Sequence, residues 1–342
     1  MFESNTQSNP ILNSKHQSDE DSETAAPASK KLSDVLAKKH AIQAFMQETS
    51  VEVTPAGARA VKNFSTILKP KMTVYVTFLP GSDFRDTLET VCRLKNEGYC
   101  PIPHFAARSI ESEKIFEESL AKLRQEANVN EALLIGGGVD IPVGPFTASI
   151  EILRTGLFDK YGFNRIGVAG HPEGSPDITP KECEQAIREK NEFNQHTDAD
   201  LYLATQFLFE AKPLFQWEKT IRDQGNKLPI HVGIPGLATI QTLIRHAKQC
   251  GVGPSVRFLK KNPVDMLKMS LRNTPFSSLV KAPSSNPSKL IFDIVTGIAS
   301  DQDCLIEKCH LYPLGGLQKS VDWLYQIQDG NFSVSWDDFN VH

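Results

Sequence analysis

From residue 49 onward, short β-branched or apolar runs alternate with longer stretches in which apolar residues recur every three or four positions. The short runs predict strands and the longer ones amphipathic helices, an alternation that suits a parallel sheet with crossover helices. The predicted strands cover 51–53, 72–78, 100–104, 132–135, 165–169, 201–205, 230–234 and 305–311. Helices fit at 56–68, 82–97, 109–127, 146–158, 180–196, 210–224, 237–249 and 317–328. Pro180 suits a helix first turn, and Gly98 and Gly225 fall just past two C-termini, as capping chemistry requires. Eight strand–helix units predict an α/β fold closed as a (β/α)8 TIM barrel; an open doubly wound sheet is the alternative.

Outside that alternation the pattern differs. Residues 1–32 hold six serines, the acidic run Asp19-Glu20-Asp21 and a single aromatic, Phe2. Too little apolar surface is available there to offset ordering entropy, so a disordered N-terminal tail is expected. Residues 33–48 predict a leading helix capped by Ser33 or Asp34, 49–330 the barrel, and 331–342 a short C-terminal tail. A long insertion, 251–300, precedes the eighth strand, with helical 264–271, a Pro/Ser-rich 282–288 and a helix at 290–299.

Composition narrows the function classes. The 342 residues carry 37 basic and 41 acidic side chains, a net charge of -4, and the isoelectric point is near 6.2. Mild acidity without a basic tract argues against nucleic acid as a partner. Mean hydropathy is -0.29 and no apolar run approaches the ~20 residues of a membrane span, so no membrane association is expected. Six cysteines without a CxxC pair, and no secretory signal, fit a cytoplasmic setting. Cys304, Cys309 and His310 lie close in sequence, but no second ligand pair has finger-like spacing, so structural thiols are expected and no metal site. Oligomeric state leaves no signature; a homo-oligomer is compatible with the sequence.

In a parallel barrel the active site lies at the C-terminal strand ends. Glu52 sits between Val51 and Val53 in the first strand. It either pairs with a cation or points into the barrel mouth, where withdrawal from water would help it serve as a general acid. Thr77 ends the second strand and His104 the third; each is also an ordinary structural residue. Gly136-Gly137-Gly138 follow the fourth strand, either as a plain turn or as backbone that a flat ring or phosphate can approach. The fifth strand leads into Gly170-His171-Pro172-Glu173-Gly174, and the sixth ends Thr205-Gln206-Phe207, placing an amide at the mouth.

These residues carry a resemblance. Val51-Glu52-Val53-Thr54-Pro55, Val76-Thr77, Pro103-His104, the segment from Val168 to Gly174, Thr205-Gln206-Phe207 and Val232-Gly233-Ile234-Pro235-Gly236 occur in order over about 49–328. The chain resembles the methylenetetrahydrofolate reductase family, flavoproteins that reduce 5,10-methylenetetrahydrofolate to 5-methyltetrahydrofolate on a (β/α)8 barrel. The resemblance implies FAD as cofactor, a folate substrate and a nicotinamide, NADH or NADPH, as electron donor. It implies that Glu52 is the catalytic acid that protonates a folate nitrogen, and that Gln206 binds the pterin. Thr77, His104, Gly137, Gly138, Ala148 and His171 fall at flavin-contacting positions.

Three departures are visible. Gly136-Gly137-Gly138 replaces the Arg-Gly-Asp of better-known members, removing a cation and a carboxylate, with Asp140 as a candidate substitute. His171 stands where a Tyr is usual, and Ser175 where a His is usual. The family's Lys and Arg near the end of the fifth helix have no clean match among Asn191, Asn194 and Gln195. A regulatory domain like that of longer eukaryotic members is not expected. Two rival functions follow: a folate- or flavin-binding accessory subunit without independent reductase activity, and a metal-dependent barrel hydrolase using Glu52, His104 and His171.

Overall fold

The computed structural model describes residues 25–79, 81–175, 177–249 and 284–342. Its eight long strands are β1 (Ser50–Val53), β2 (Thr73–Val76), β3 (Cys100–Ala106), β4 (Glu131–Ile135), β5 (Arg165–Gly170), β6 (Asp200–Phe207), β7 (Ile230–Pro235) and β8 (Ile306–Tyr312). Each pairs in parallel with its neighbours, and β1 joins both β2 and β8, closing the barrel. The predicted closed architecture is therefore the one adopted.

Strand alternation sorts the side chains into two cores. Val51, Val53, Val74, Val76, Leu134, Ile166, Val168, Leu203, Val232 and Leu311 point outward into the layer shared with the helices. Tyr75, Ile102 and Leu133 form a separate cluster within the barrel, beside Ile135 and Ala204. Gly167 on β5 makes room there: a Cβ at that position would stand 2.7 Å from the Tyr202 ring and 2.8 Å from Leu133.

The helices begin where the sequence supplies caps. Asp83 opens α3 (Phe84–Asn96), Ser112 opens α4 (Glu113–Ala127), and Thr179 with Glu182 forms a capping box on α7 (Pro180–Phe193). Before α3, α1 (Ala25–Gln47) lies under the barrel, its Ile42 and Met46 fully buried. Gln43 Nε2 donates to the Gln328 carbonyl (2.7 Å), and Gln328 Nε2 to the Met46 carbonyl (2.9 Å), tying α1 to the end of the last helix. The helix starts at Ala25, ahead of the expected 33.

Two predicted helices are split. The 56–68 stretch forms α2 (Pro55–Ala60) and a 3-10 turn at Phe64–Thr66. Between them Val61 is extended, and Arg93 takes the Ala58, Val61 and Lys62 carbonyls. The 146–158 stretch becomes α5 (Ser149–Leu153) and α6 (Leu157–Lys160), parted by Gly156 at φ +70. The remaining helices are α8 (Ala211–Asp223), α9 (Ile240–Gln249), α10 (Ser288–Ser300) and α11 (Leu317–Gln328). Of the expected insertion, α10 is observed, while 264–271 lies outside the described residues, as does the tail at 1–24. Residues 331–342 carry an antiparallel pair, Phe332–Val334 with Phe339–Val341, whose two phenylalanines are buried.

Candidate active site

The barrel interior is polar along its axis. Tyr75 Oη and Tyr202 Oη, from strands on opposite sides, lie 2.7 Å apart. Above them, toward the C-terminal mouth, Glu52, His104 and His310 gather around the Tyr75 ring. His310 meets that ring edge-on at 4.5 Å between centroids, and His104 at 5.6 Å. His310 Nε2 is 3.6 Å from Glu52 Oε2, while its Nδ1 is 2.8 Å from Ser50 Oγ. Burial pushes the His104 imidazole down to about 4, opposed by the nearby Glu52 carboxylate and reinforced by His310. His104 is thus neutral near pH 7, and its Nε2 is buried without a hydrogen-bond partner.

The other expected residues ring the same end of the barrel. Thr77 follows β2 directly and is buried, its amide donating to the Val53 carbonyl at 3.0 Å. Gln206, on β6, accepts from the Phe207 amide through Oε1 at 3.0 Å, which leaves its NH2 group as the donor for a ligand. Beneath it Thr205 Oγ1 accepts from the Gly233 amide (2.9 Å), and Tyr312 Oη donates to the Thr205 carbonyl (2.9 Å). Gly137 adopts φ +94, and a Cβ there would lie 3.1 Å from Ala106 Cβ; Gly138 is exposed and unconstrained.

Two of the expected positions have surroundings of their own. The amide of Ala148 already donates to Glu151 Oε2 at 3.1 Å, as does that of Thr147, so a ligand there would meet the side chain and not a free N–H. Asp140 is exposed, and Asp177 lies 3.4 Å from Arg108, the side chain that donates to the Gly137 carbonyl.

Arg108 and Lys190 are the residues that strand-end reasoning missed. Arg108, in the turn after β3, donates through Nε to the Gly137 carbonyl (3.0 Å) and through its terminal nitrogen to the same oxygen. A neighbouring turn thus supplies a guanidinium beside the triple glycine that lacks its own. Lys190, on α7, is 3% exposed, and its ammonium donates to the Ala169 carbonyl at the end of β5 (3.1 Å). Burial pushes it down to about 8. His171, half-buried in the following loop, is held near 4 by burial and by Lys190. The signal for Lys190 was its spacing of three from Ile187 on the inward face of α7.

The opposite end has another character. A cavity of about 430 Å³ opens below Tyr75, lined by Glu48, Ser50, Glu131, Arg165, His231 and Lys308 among others. Its charges are largely paired: Lys308 with Glu48, Arg165 with Glu131 at 3.6 Å. Metal-ligand grouping is limited too. Among the described residues no three His, Cys, Asp or Glu side chains converge as a metal-ligand set. Cys309 is buried in the outer core, while His310, its neighbour on β8, faces Glu52 inside the barrel. Alternation therefore places the two on opposite faces.

A flavin fits the mouth on two observations: the partnerless buried His104 Nε2, which can accept from or donate to a ring edge, and the Lys190 and Arg108 cations, which suit an anionic cofactor.

Residues 142–261 match the family described as methylenetetrahydrofolate reductase. Methylenetetrahydrofolate reductase 1 of Schizosaccharomyces pombe is 30% identical over 105 residues, which is 30% of this chain and 16% of that protein. The aligned stretch thus spans about a sixth of that relative's length. Ala148, His171, Lys190 and Gln206 lie inside the family match; Glu52, Thr77, His104, Gly137 and Gly138 precede it. The stretch 142–261 is thus similar to the methylenetetrahydrofolate reductase family, and it lies within a closed eight-stranded barrel.

Proposed function

We propose that the chain is an oxidoreductase that reduces methylenetetrahydrofolate to methyltetrahydrofolate, with FAD as cofactor and a nicotinamide as electron source. The observation that carries the proposal is Glu52: a carboxyl group in the barrel mouth whose side chain is 17% exposed and faces two imidazoles. Bound FAD would supply the hydride. Glu52 holds the proton that a folate nitrogen takes as the five-membered ring opens to an iminium. Gln206, fixed by its own backbone, offers an amide NH2 to the pterin. Thr77, His104 and Gly137 line the flavin side, with Lys190 and Arg108 as the cations for its phosphates.

The test is the visible spectrum of the purified protein, before and after nicotinamide and then methylenetetrahydrofolate. A yellow protein whose flavin bleaches with NADH or NADPH and recolours with the folate is expected. Glu52→Gln should bleach and fail to recolour. A protein that takes up no FAD overturns the reading. The missing carboxylate at Gly136-Gly137-Gly138 favours one second reading, an accessory subunit that binds cofactor or folate without turnover; it predicts a yellow protein that no nicotinamide bleaches.

A further inference from the structure

The end of the barrel away from the mouth holds a cavity of about 430 Å³, within the roughly 300–1,000 Å³ of small-molecule sites. Four cations line it: Lys69, Lys71, Arg165 and Lys308. In the closed strand order β5 stands opposite β1, while β8 and β2 flank β1. Arg165 opens β5, Lys308 lies on β8 and Lys71 stands two residues ahead of β2, so positive charge comes from three sides of the ring. We propose that this cavity is a second binding site, for a phosphate dianion, with Arg165 and Lys308 as its principal donors and Lys71 at its rim. The proposal does not depend on the reading of the mouth.

Arg165 is the better prepared of the two. Its guanidinium lies over the Tyr202 ring at 5.0 Å, donates through a terminal nitrogen to His231 Nε2 at 3.2 Å, and faces Glu131 through Nε at 3.6 Å, beyond hydrogen-bond range. Among the described residues that imidazole is its only hydrogen-bond acceptor, so most of its N–H donors are left for a ligand. A third of the side chain is exposed. Burial, Arg165 and Lys308 push His231 down to about 3, so the imidazole is neutral and adds no charge. Glu48 is held below its ordinary range by Lys308 and then by Arg165. Glu131, raised by burial, is drawn back by Arg165, the Tyr202 hydroxyl and Lys308. Each cation thus acts on the other's partner, and the two share one small volume.

Glu48 shows how an anion would enter. Its side chain is 71% exposed, against 25% for Lys308, so the pair between them faces water, contributes little and is readily exchanged. Lys71 has no ion-pair partner among the described residues; its backbone is held at φ +63, with its amide on the Gly98 carbonyl at 3.2 Å. Lys69 is engaged by Asp329 at 2.8 Å and lies over the Tyr325 ring, so it adds least. The geometry of the cations selects the anion. A planar carboxylate presents two oxygens and is filled by one guanidinium fork, whereas a tetrahedral phosphate has oxygens left for Lys308 and Lys71. The cavity is larger than the oxyanion, and Gln47, Thr73 and Gln328 make part of its remaining wall polar and uncharged. Free phosphate and a phosphomonoester of a small polyol therefore share the same anchor.

The experiment titrates the full-length protein, in the presence of FAD, with inorganic phosphate, glycerol phosphate or acetate by calorimetry, at constant ionic strength and above the second ionisation of phosphate. One saturable phosphate site is expected, about tenfold tighter than acetate. Arg165→Lys keeps a cation against Glu131 but loses the fork, and should weaken phosphate about tenfold. Lys71→Ala, at the exposed rim, should weaken it about threefold. Glu48→Gln removes the competing carboxylate and should tighten it about threefold, a gain that a damaged fold does not produce. Lys190→Met, in the mouth, should leave phosphate affinity as it is. Tighter binding of glycerol phosphate than of inorganic phosphate assigns the site to a phosphomonoester, and equal or weaker binding assigns it to free phosphate. The proposal is overturned by the absence of saturable phosphate binding, by acetate binding as tightly, by an affinity that Arg165→Lys or Glu48→Gln leaves unmoved, or by loss of binding in Lys190→Met.

Discussion

Tyr75 and Tyr202 join hydroxyls across the barrel axis and divide its interior into two chambers of different chemistry. Below lies the charged basal cavity, where Tyr202 also bonds Glu131 and stacks on His231 at 4.1 Å. Above lies the chamber of Glu52, His104 and His310. Burial holds both phenols well above their ordinary range, so they are neutral donors at any physiological pH. The two hydroxyls form a hydrogen-bonded bridge between strands on opposite sides of the barrel, and Ser50, which lines the basal cavity, reaches past it to His310.

The bridge is asymmetric, and the two conservative variants should differ. Tyr75→Phe leaves the Tyr202 hydroxyl with Glu131 as partner, so a loss of about 1 kcal/mol is expected. Tyr202→Phe strands the Tyr75 hydroxyl and withdraws a donor from the half-buried Glu131 carboxylate, and should cost about 2 kcal/mol. Urea unfolding of both single variants and the double variant measures this. The double variant should cost less than the sum of the two.

The barrel was legible because parallel strands buried on both faces read as apolar runs, and Val51, Val74, Val168 and Val232 mark them without ambiguity. The interior was legible only in part. Glu52, Thr77, His104 and Gln206 stand at strand ends, where topology says to look. His310 stands two residues before the end of β8, and its neighbours Cys304 and Cys309 invite a different grouping. Lys190 lies on a helix, so a search of strand ends passes it by. Two helices read as continuous because Gly156 and Val61 do not break an apolar period. The break at Val61 depends on Arg93, 32 residues on, taking the Val61 carbonyl, a contact that no local pattern encodes.

Lys190 should show the cost of a buried cation directly. Its folded pKa of about 8 lies below the ordinary 10.5, so between those values the unfolded chain keeps a proton that the folded protein has released. Stability of the cofactor-free protein should therefore rise with pH across that window. Lys190→Met removes the penalty and should stabilise the cofactor-free protein at neutral pH by up to about 3 kcal/mol, with that pH dependence gone. The same variant should bind FAD more weakly. Urea midpoints at several pH values, paired with FAD titration, check both halves; a less stable methionine variant at neutral pH would refute the first.

The triple glycine offers a sharper discrimination, because the resemblance gives Gly137 and Gly138 the same role and the backbone does not. Gly137 holds φ +94 against Ala106, and its carbonyl anchors Arg108. Gly138 has a conformation open to any residue, with nothing within 4 Å of an added Cβ. Gly137→Ala is expected to lose about 1–2 kcal/mol for the left-handed backbone, and to weaken FAD binding as the guanidinium loses its seat. Gly138→Ala should change stability by no more than about 0.5 kcal/mol and keep the cofactor. Urea midpoints and FAD titrations of the two variants decide it. Equal FAD loss in both would mean that the cofactor needs a bare backbone along the whole turn, whereas loss confined to Gly137→Ala would mean that the turn serves chiefly to hold Arg108 in place.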